Sequence, residues 1–278
     1  MNESEPAAKD YDTESRFLTI SIVTFNPVLT ELGSTLDSLQ LALEKLNRDK
    51  VLITIIDNSK VHTIKAYLDH SYPELPIRLI HGQGNIGFGR AHNLALDSMG
   101  EFHLILNPDI RLDPDALAEA IDFMLANSQC GLLSPYAEWP SGQRQYLCKQ
   151  YPAIFDFLLR GFSPKLVQSF FRKRLASYEM QLETQDIVFW NPPIVSGCFM
   201  LFAREALLAT KGFDDHYFLY FEDFDLSLRV GRITHIAYVP SVRIVHAGGN
   251  ASKKGFRHIC IFIRSAAKFY MAHGLRFL

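Results

Sequence analysis

The chain has 278 residues, 48% of them hydrophobic, and a formal net charge of −2. That length accommodates one large α/β domain or two small ones, and the apolar content is ample for a core, which excludes a disordered or fibrous chain. The longest apolar runs, such as 194–203, fall short of the roughly 20 residues needed to cross a bilayer, so no transmembrane helix is expected.

Residues 1–16 are acidic and polar and lack the apolar stretch of a signal peptide, so they are expected to form a disordered leader on a cytoplasmic protein. Residues 17–25 are β-branched and apolar up to a turn at Asn26-Pro27, the pattern of a buried strand. Leu32, Leu36, Leu39, Leu43 and Leu46 then recur at spacings of three and four, which predicts a crossover helix with one apolar face. Further strands are predicted at 51–56, ending in Asp57-Asn58-Ser59, at 77–81, ending in a glycine-rich stretch, and at 102–106, ending in Asn107-Pro108-Asp109. Asp113-Pro114 carries the cap and first-turn signal of another helix.

From 134 to 190 the alternation is lost, and this segment reads as an irregular lid on the acceptor side. Within it, 155–180 mixes Arg160, Lys165, Arg172, Lys173 and Arg174 with aromatics and leucines, the composition of a basic amphipathic helix. Regular structure is expected again as a strand at 194–202, a helix at 204–211 closed by Gly212, a helix opening near Glu222, and two short strands at 235–239 and 242–245. After Asp225 there is no acidic residue, whereas nine Lys and Arg follow, so 251–278 reads as a basic amphipathic C-terminal helix able to face an anionic surface. Cys130, Cys148, Cys198 and Cys260 are too scattered for a zinc site or a disulfide framework and are expected to be free thiols.

Strands alternating with helices imply an α/β fold whose ligands gather at the carboxyl ends of the strands, where Asn26, Asp57, Asn85 and Asp109 stand. Gly82-Gln83-Gly84-Asn85-Ile86-Gly87 fits the dinucleotide pattern, with Asp109 about twenty residues later, but it follows the third strand rather than opening the fold. It reads either as a structural turn or as a nicotinamide or flavin site. Asn107-Pro108-Asp109 sets one carboxylate at a strand end, either as a solvated turn or as an oxygen ligand for Mg²⁺ or Mn²⁺ completed by a diphosphate. Glu222-Asp223-Phe224-Asp225 puts three carboxylates in a helical first turn, as caps or as a catalytic group. His246 ends a strand before Ala247-Gly248-Gly249, as a buried histidine or as a further metal ligand. Nothing in the basic tail matches a nucleic-acid-binding motif, and no nucleic-acid partner is expected.

The order and spacing of Ile22-Val23-Thr24-Phe25-Asn26, Ile56-Asp57-Asn58-Ser59, Asn85-Ile86-Gly87-Phe88-Gly89 with Ala91-His92-Asn93, Leu106-Asn107-Pro108-Asp109, Ser196-Gly197-Cys198-Phe199-Met200, Phe221-Glu222-Asp223-Phe224-Asp225-Leu226 with Arg229, and His246 resemble family-2 glycosyltransferases of the GT-A fold. Within that family the chain is most similar to the bacterial rhamnosyltransferase-like group, over about 18–274. The resemblance implies a Rossmann-like mixed central sheet flanked by helices over 17–250 and a C-terminal helical region on the acceptor side. Its implied activity is inverting, metal-dependent transfer of L-rhamnose from dTDP-β-L-rhamnose to a hydroxyl of a lipid-linked or cell-surface glycan. A UDP-hexose or UDP-galactofuranose donor, or donor binding without turnover, is the alternative. By position, Thr24, Asn26 and Asp57 would hold the nucleoside, and Asn85, Gly87, Arg90, Asn93 and Asn107 would line the nucleotide-sugar. Asp109 and His246 would ligate the metal, and Asp223 would be the general base, with Glu222 and Asp225 supporting it. Asn107 occupies the first position of the usual Asp-x-Asp metal motif, and an amide holds a cation more weakly than a carboxylate.

Overall fold

The computed structural model describes residues 16–61, 64–248 and 256–277, so the expected leader up to residue 15 and the start of the expected C-terminal helix, 251–255, lie outside the described residues. Four strands arise where apolar runs predict them: β1 (Leu18–Thr24), β2 (Val51–Asp57), β3 (Ile77–His81) and β4 (Phe102–Leu106). Each neighbouring pair is parallel, in the order β3-β2-β1-β4. The later strands are β5 (Ile110–Leu112), β6 (Cys130–Glu138), β7 (Arg144–Gln145), β8 (Cys148–Lys149), β9 (Phe189–Trp190), β10 (Ile194–Val195), β11 (Phe199–Ala203) and β12 (His235–His246). The sheet continues past β4 through β11, β6 and β12 to β5, with β11 antiparallel to both neighbours, so it is the expected mixed sheet.

Helices cover both faces, because successive strand residues point to opposite sides. Leu201 packs with one core, which contains Leu32, Leu36 and Leu39 of α1 (Leu29–Ala42), Leu68 of α2 (Ile64–Ser71) and Ile121 of α4 (Ala116–Ala126). Its neighbours Met200 and Phe202 face a second core with Leu207 of α8 (Arg204–Ala209) and Leu226 of α9 (Glu222–Val230). On that face β1 carries Thr19 and Ser21, which are buried polar groups and must be bonded. Thr19 Oγ1 lies 2.8 Å from His103 Nδ1, and Ser21 Oγ bridges His103 Nε2 at 3.0 Å and His92 Nδ1 at 2.7 Å, His92 belonging to α3 (Phe88–Asn93). Burial keeps both imidazoles neutral, lowering His103 to about 3 and His92 well below its usual range.

Four sequence expectations need correction. The segment 134–190 is not irregular throughout, because Ser134 to Glu138 complete β6 between β11 and β12. Its basic stretch is three short helices rather than one: α5 (Ile154–Phe162), α6 (Lys165–Phe170) and α7 (Arg172–Tyr178), with Pro164 standing before α6 and excluding a continuous helix. The strand expected at 194–202 is two, because β10 pairs with β8 in a separate small sheet and only β11 joins the main one. Conversely, the strands expected at 235–239 and 242–245 are one, since β12 absorbs Pro240 in a register shift between Val239 and Arg243.

The last helix, α10 (Phe256–His273), packs Phe262, Phe269 and Tyr270 against Phe221, Phe224, Phe157 of α5 and Tyr151. All four cysteines are free, and among the described residues no helix is long and apolar enough to cross a membrane.

Candidate active site

Three groups of polar residues meet at the carboxyl ends of the central strands. The first joins β1 to β2. Asp57, fully buried, accepts hydrogen bonds at Oδ1 from Thr24 Oγ1 (3.1 Å) and the Ser59 N–H (3.0 Å), while its Oδ2 has no partner. Asn26 is exposed with φ at +48°, a left-handed turn that Asn tolerates, and its N–H donates to Ser59 Oγ. Thr24, Asn26 and Asp57, expected to act together, are thus brought together, with one buried carboxylate oxygen left over.

Within the glycine-rich stretch, Gly87 is a close-packing position. Phe88 N–H, at the start of α3, donates to Phe218 O, and a Cβ added to Gly87 would collide with that same carbonyl. Gly87 therefore allows close packing of the turn onto the Phe218 backbone, whereas Gly82 and Gly84 are left-handed with open space around them. Asn85 is exposed and caps the Gly87 N–H. Arg90 and Asn93, expected to line the donor, anchor the loop before α9. Asn93 Nδ2 donates to Phe213 O and Asp215 Oδ1, its Oδ1 accepts from the Phe213 N–H, and Arg90 Nε donates to Asp215 O.

The second group is Asn107, Asp109 and His246. The turn between β4 and β5 is held by Thr35 Oγ1 of α1, which donates to Pro108 O, and by the Asn107 N–H, which donates to Cys198 O. Because β12 pairs with β5 so that His246 opposes Ile110, the histidine at the strand's end comes beside Asp109, with Nε2 3.5 Å from Oδ1. Gln145 of β7 accepts from Nδ1 at 3.0 Å and Trp139 stacks on the ring, so Nε2 is the nitrogen turned toward Asp109. Burial lowers the pKa of His246, but neighbouring Cys198 and Asp109 outweigh it and carry the imidazole up to about 10.

These residues fit a divalent cation. Asn107 Oδ1 and Asp109 Oδ1 are buried without hydrogen-bond partners, and a side chain at Gly248 would run into the Asp109 carboxylate, so only glycine leaves that space free. Two oxygens and one imidazole suit Mg²⁺ or Mn²⁺, whose remaining positions phosphate oxygens fill. Among the described residues no three His, Cys, Asp or Glu form a self-sufficient cage, in keeping with an amide at position 107.

The third group is the acidic turn of α9. Tyr220 (φ +70°) and Phe221 (φ +68°) both adopt left-handed conformations, a strained entry of the kind that costs about 1–3 kcal/mol per residue. Phe221 withstands it because Phe157, Phe224, Phe262 and Phe269 surround its ring. The turn thereby sets Asp223 against Gly197, whose N–H donates to Oδ2 at 2.9 Å, while the Phe224 N–H donates to Oδ1 at 3.0 Å. Glu222 is buried and its Oε2 has no partner. Burial raises both carboxyls, and with the adjoining Asp223 charge it takes Glu222 to about 8, whereas the two N–H donors oppose the rise at Asp223. Both carboxyls are thus held above their ordinary range, and only Asp223 has an N–H donor on each oxygen.

Asp225, grouped with these acids by its position in the sequence, has a different role. Both oxygens are engaged at 2.7 Å, one with Arg229 Nε and the other with His273 Nε2 of α10, and Arg229 also binds Thr210 O and Gly212 O. It fastens the C-terminal helix to α9.

The break between β10 and β11 connects the second and third groups. Gly197 binds Asp223, and its neighbour Cys198 holds Asn107 through its carbonyl and touches His246 through its thiol. Gly197, Cys198, Gln145 and Gly248 escaped sequence reasoning as site-shaping residues. Only the glycines gave a signal, and glycine alone does not say what it makes room for.

No protein-family model matches this chain. It is 28% identical over 246 residues to the N-acetylglucosaminyl-diphospho-decaprenol L-rhamnosyltransferase of Mycobacterium tuberculosis, covering 82% of this chain and 75% of the relative. It is 26% identical over 232 residues to the rhamnosyltransferase WbbL of Escherichia coli K12, covering 79% and 82%. Among solved structures it is similar to a mannosyltransferase from Pyrobaculum calidifontis in complex with GDP-Man and Mn²⁺ (TM-score 0.59, 18% identity, 94% of this chain and 72% of the other). It is also similar to GalNAc-T7 with UDP, GalNAc and Mn²⁺ (TM-score 0.61, 16% identity, 86% of this chain), although it spans only 45% of that longer chain. The fold is that of the GT-A glycosyltransferases.

Proposed function

We propose that this chain, a GT-A-fold homologue of bacterial rhamnosyltransferases, is an inverting glycosyltransferase that moves L-rhamnose from dTDP-β-L-rhamnose to a hydroxyl of a lipid-linked glycan. The observation that carries this reading is the geometry of the acidic turn. Asp223 is set by the left-handed entry of α9 against Gly197, with one N–H donor on each carboxylate oxygen, which orients it as a general base needs.

The free Asp57 Oδ2 suits the imide N–H of a thymine or uracil base, while Thr24 and Ser59 hold the carboxylate from behind. Asn107, Asp109 and His246 would hold Mg²⁺ or Mn²⁺ against the donor diphosphate, and a cation bound there supplies Lewis-acid stabilisation of the negative charge on the leaving group. Asp223 accepts the proton of the acceptor hydroxyl on a lone pair its N–H donors leave free. The hydroxyl oxygen then bonds to the anomeric carbon as the bond to the diphosphate oxygen breaks, and this one displacement inverts the anomeric configuration. Asn85 and Arg90 remain at the rim as exposed polar groups for the donor.

The C-terminal helix supports a peripheral position on an anionic membrane. Ile259, Ile263 and Met271, spaced by four or eight residues, are exposed on α10, and Arg257 and Arg264 flank them with no acidic residue in the helix.

The test is transfer from dTDP-β-L-rhamnose to a lipid-linked acceptor, together with Asp223→Asn. The variant is expected to lose about 10³-fold in kcat while dTDP still raises its melting temperature as in the native protein. Transfer at the native rate by Asp223→Asn removes the base assignment, and turnover of UDP-hexoses alone removes the donor.

A further inference from the structure

An open cleft of about 490 Å³ lies between β7 with its flanking residues and the helices α6 and α7, lined among others by Gln143, Arg144, Tyr146, Gln168, Ser169 and Arg172. We propose that this cleft receives the diphosphate of a polyprenyl-diphosphate-linked acceptor, with Arg172 as the side chain that recognises the anion. The proposal rests on the lipid-linked acceptor reading above and assigns that acceptor a place.

The first reason is position. Side chains alternate along an extended strand, and Gln145 is turned to His246. Its neighbours Arg144 and Tyr146 line the cleft. One short strand therefore carries the Asp109 and His246 site on one face and the cleft on the other.

The second is charge. Arg144 is fixed by hydrogen bonds to Gln185, the Thr184 carbonyl and Tyr238 Oη, and it lies over the rings of Tyr136 and Tyr146 at 4.7 and 5.2 Å. It is a rigid positive wall. Arg172 is exposed and has no hydrogen bond or ion pair among the described residues, so its planar guanidinium is free for a phosphate. Among the acids around it, Glu179 pairs with Lys149 and Arg160 and Asp156 with Arg174.

The third is the apolar rim. Leu166 and Phe170 of α6 are 72% and 82% exposed, on the helix that contributes Gln168 and Ser169 to the cleft. Phe171 packs on Phe155, whose N–H bonds to Phe277 O, and Leu275 and Phe277 are exposed as well. A polar, cationic cleft on the same helix as exposed apolar side chains suits a diphosphate attached to a prenyl chain. A soluble phosphate would need only the first half of that combination.

The experiment is calorimetric titration of the full chain with farnesyl diphosphate, with dTDP and Mn²⁺ at saturation so that the donor site is filled. Arg172→Glu is expected to weaken binding by at least about tenfold, and Lys173→Glu, a neighbouring exposed cation that does not line the cleft, by less than about threefold. Inorganic pyrophosphate is expected to bind the native protein more weakly than farnesyl diphosphate. Equal binding by Arg172→Glu and the native chain overturns the proposal, as does an equal loss in Lys173→Glu. Pyrophosphate matching farnesyl diphosphate also overturns it, since the site would then take a soluble anion. Failure of dTDP to bind at all would instead count against the donor reading, and it would be seen before any lipid is added.

Discussion

Gly248→Ala tests the cation site without replacing a ligand. The backbone at Gly248 is not left-handed, so alanine introduces no conformational strain. The new methyl carbon would stand 3.0 Å from Asp109 Cγ, closer still to Oδ2, and 3.1 Å from His246 Nε2. The Asp109 carboxylate must retreat by about 1 Å, and a displacement of that size at a reacting site costs on the order of 10²-fold in rate. That loss corresponds to about 2.7 kcal/mol of transition-state stabilisation. The main chain keeps its course, so the melting temperature should move by no more than about 2 °C. Steady-state transfer and Mn²⁺ titration followed by electron paramagnetic resonance should both report the defect, with kcat/KM down about a hundredfold and Mn²⁺ affinity visibly reduced. A variant with native kcat/KM and native Mn²⁺ affinity would refute the assignment of Asp109 and His246 to one site.

Two further predictions concern α9. Glu222 is raised by burial and by Asp223 to about 8 in the folded protein, and a free glutamate titrates near 4.3; its protonated form therefore stabilises the fold at low pH, and that contribution, on the order of a few kcal/mol, is lost as pH rises through about 8. Glu222→Gln should remove this slope, so the native protein loses melting temperature relative to the variant between pH 5 and 9; parallel curves would show that Glu222 is already ionised in the fold. Arg229→Met leaves Asp225 buried with only His273 and should cost about 3 kcal/mol, read as a fall of several degrees in melting temperature, whereas a change under about 2 °C would mean that the Asp225 junction does not hold α10.

The first four strands and the leucine stripe of α1 were legible in the sequence because apolar periodicity is a local signal that survives into the core unchanged. So were Asp57 and Asp109 at strand ends and the acidic opening of α9, since each depends only on where its own element stops. The acids could not be ranked locally. Asp223 and Asp225 are two residues apart and chemically identical, yet one receives the Gly197 and Phe224 N–H groups and the other Arg229 and His273. The split between β10 and β11 was hidden for the same reason, as its cause is the pairing of each half with a different sheet.

What the sequence determined by itself was an α/β fold with carboxylates at the ends of its strands and at one helix start, because those features follow from periods of two and 3.6 residues and from turn chemistry. The tertiary structure decided which of them work together. His246 meets Asp109 through the β5 and β12 register, Gln145 turns the imidazole from a hairpin 101 residues away, and Gly197 reaches Asp223 across 26 residues. Contacts between residues so far apart leave no local pattern in a single chain, and only folding brings them into reach.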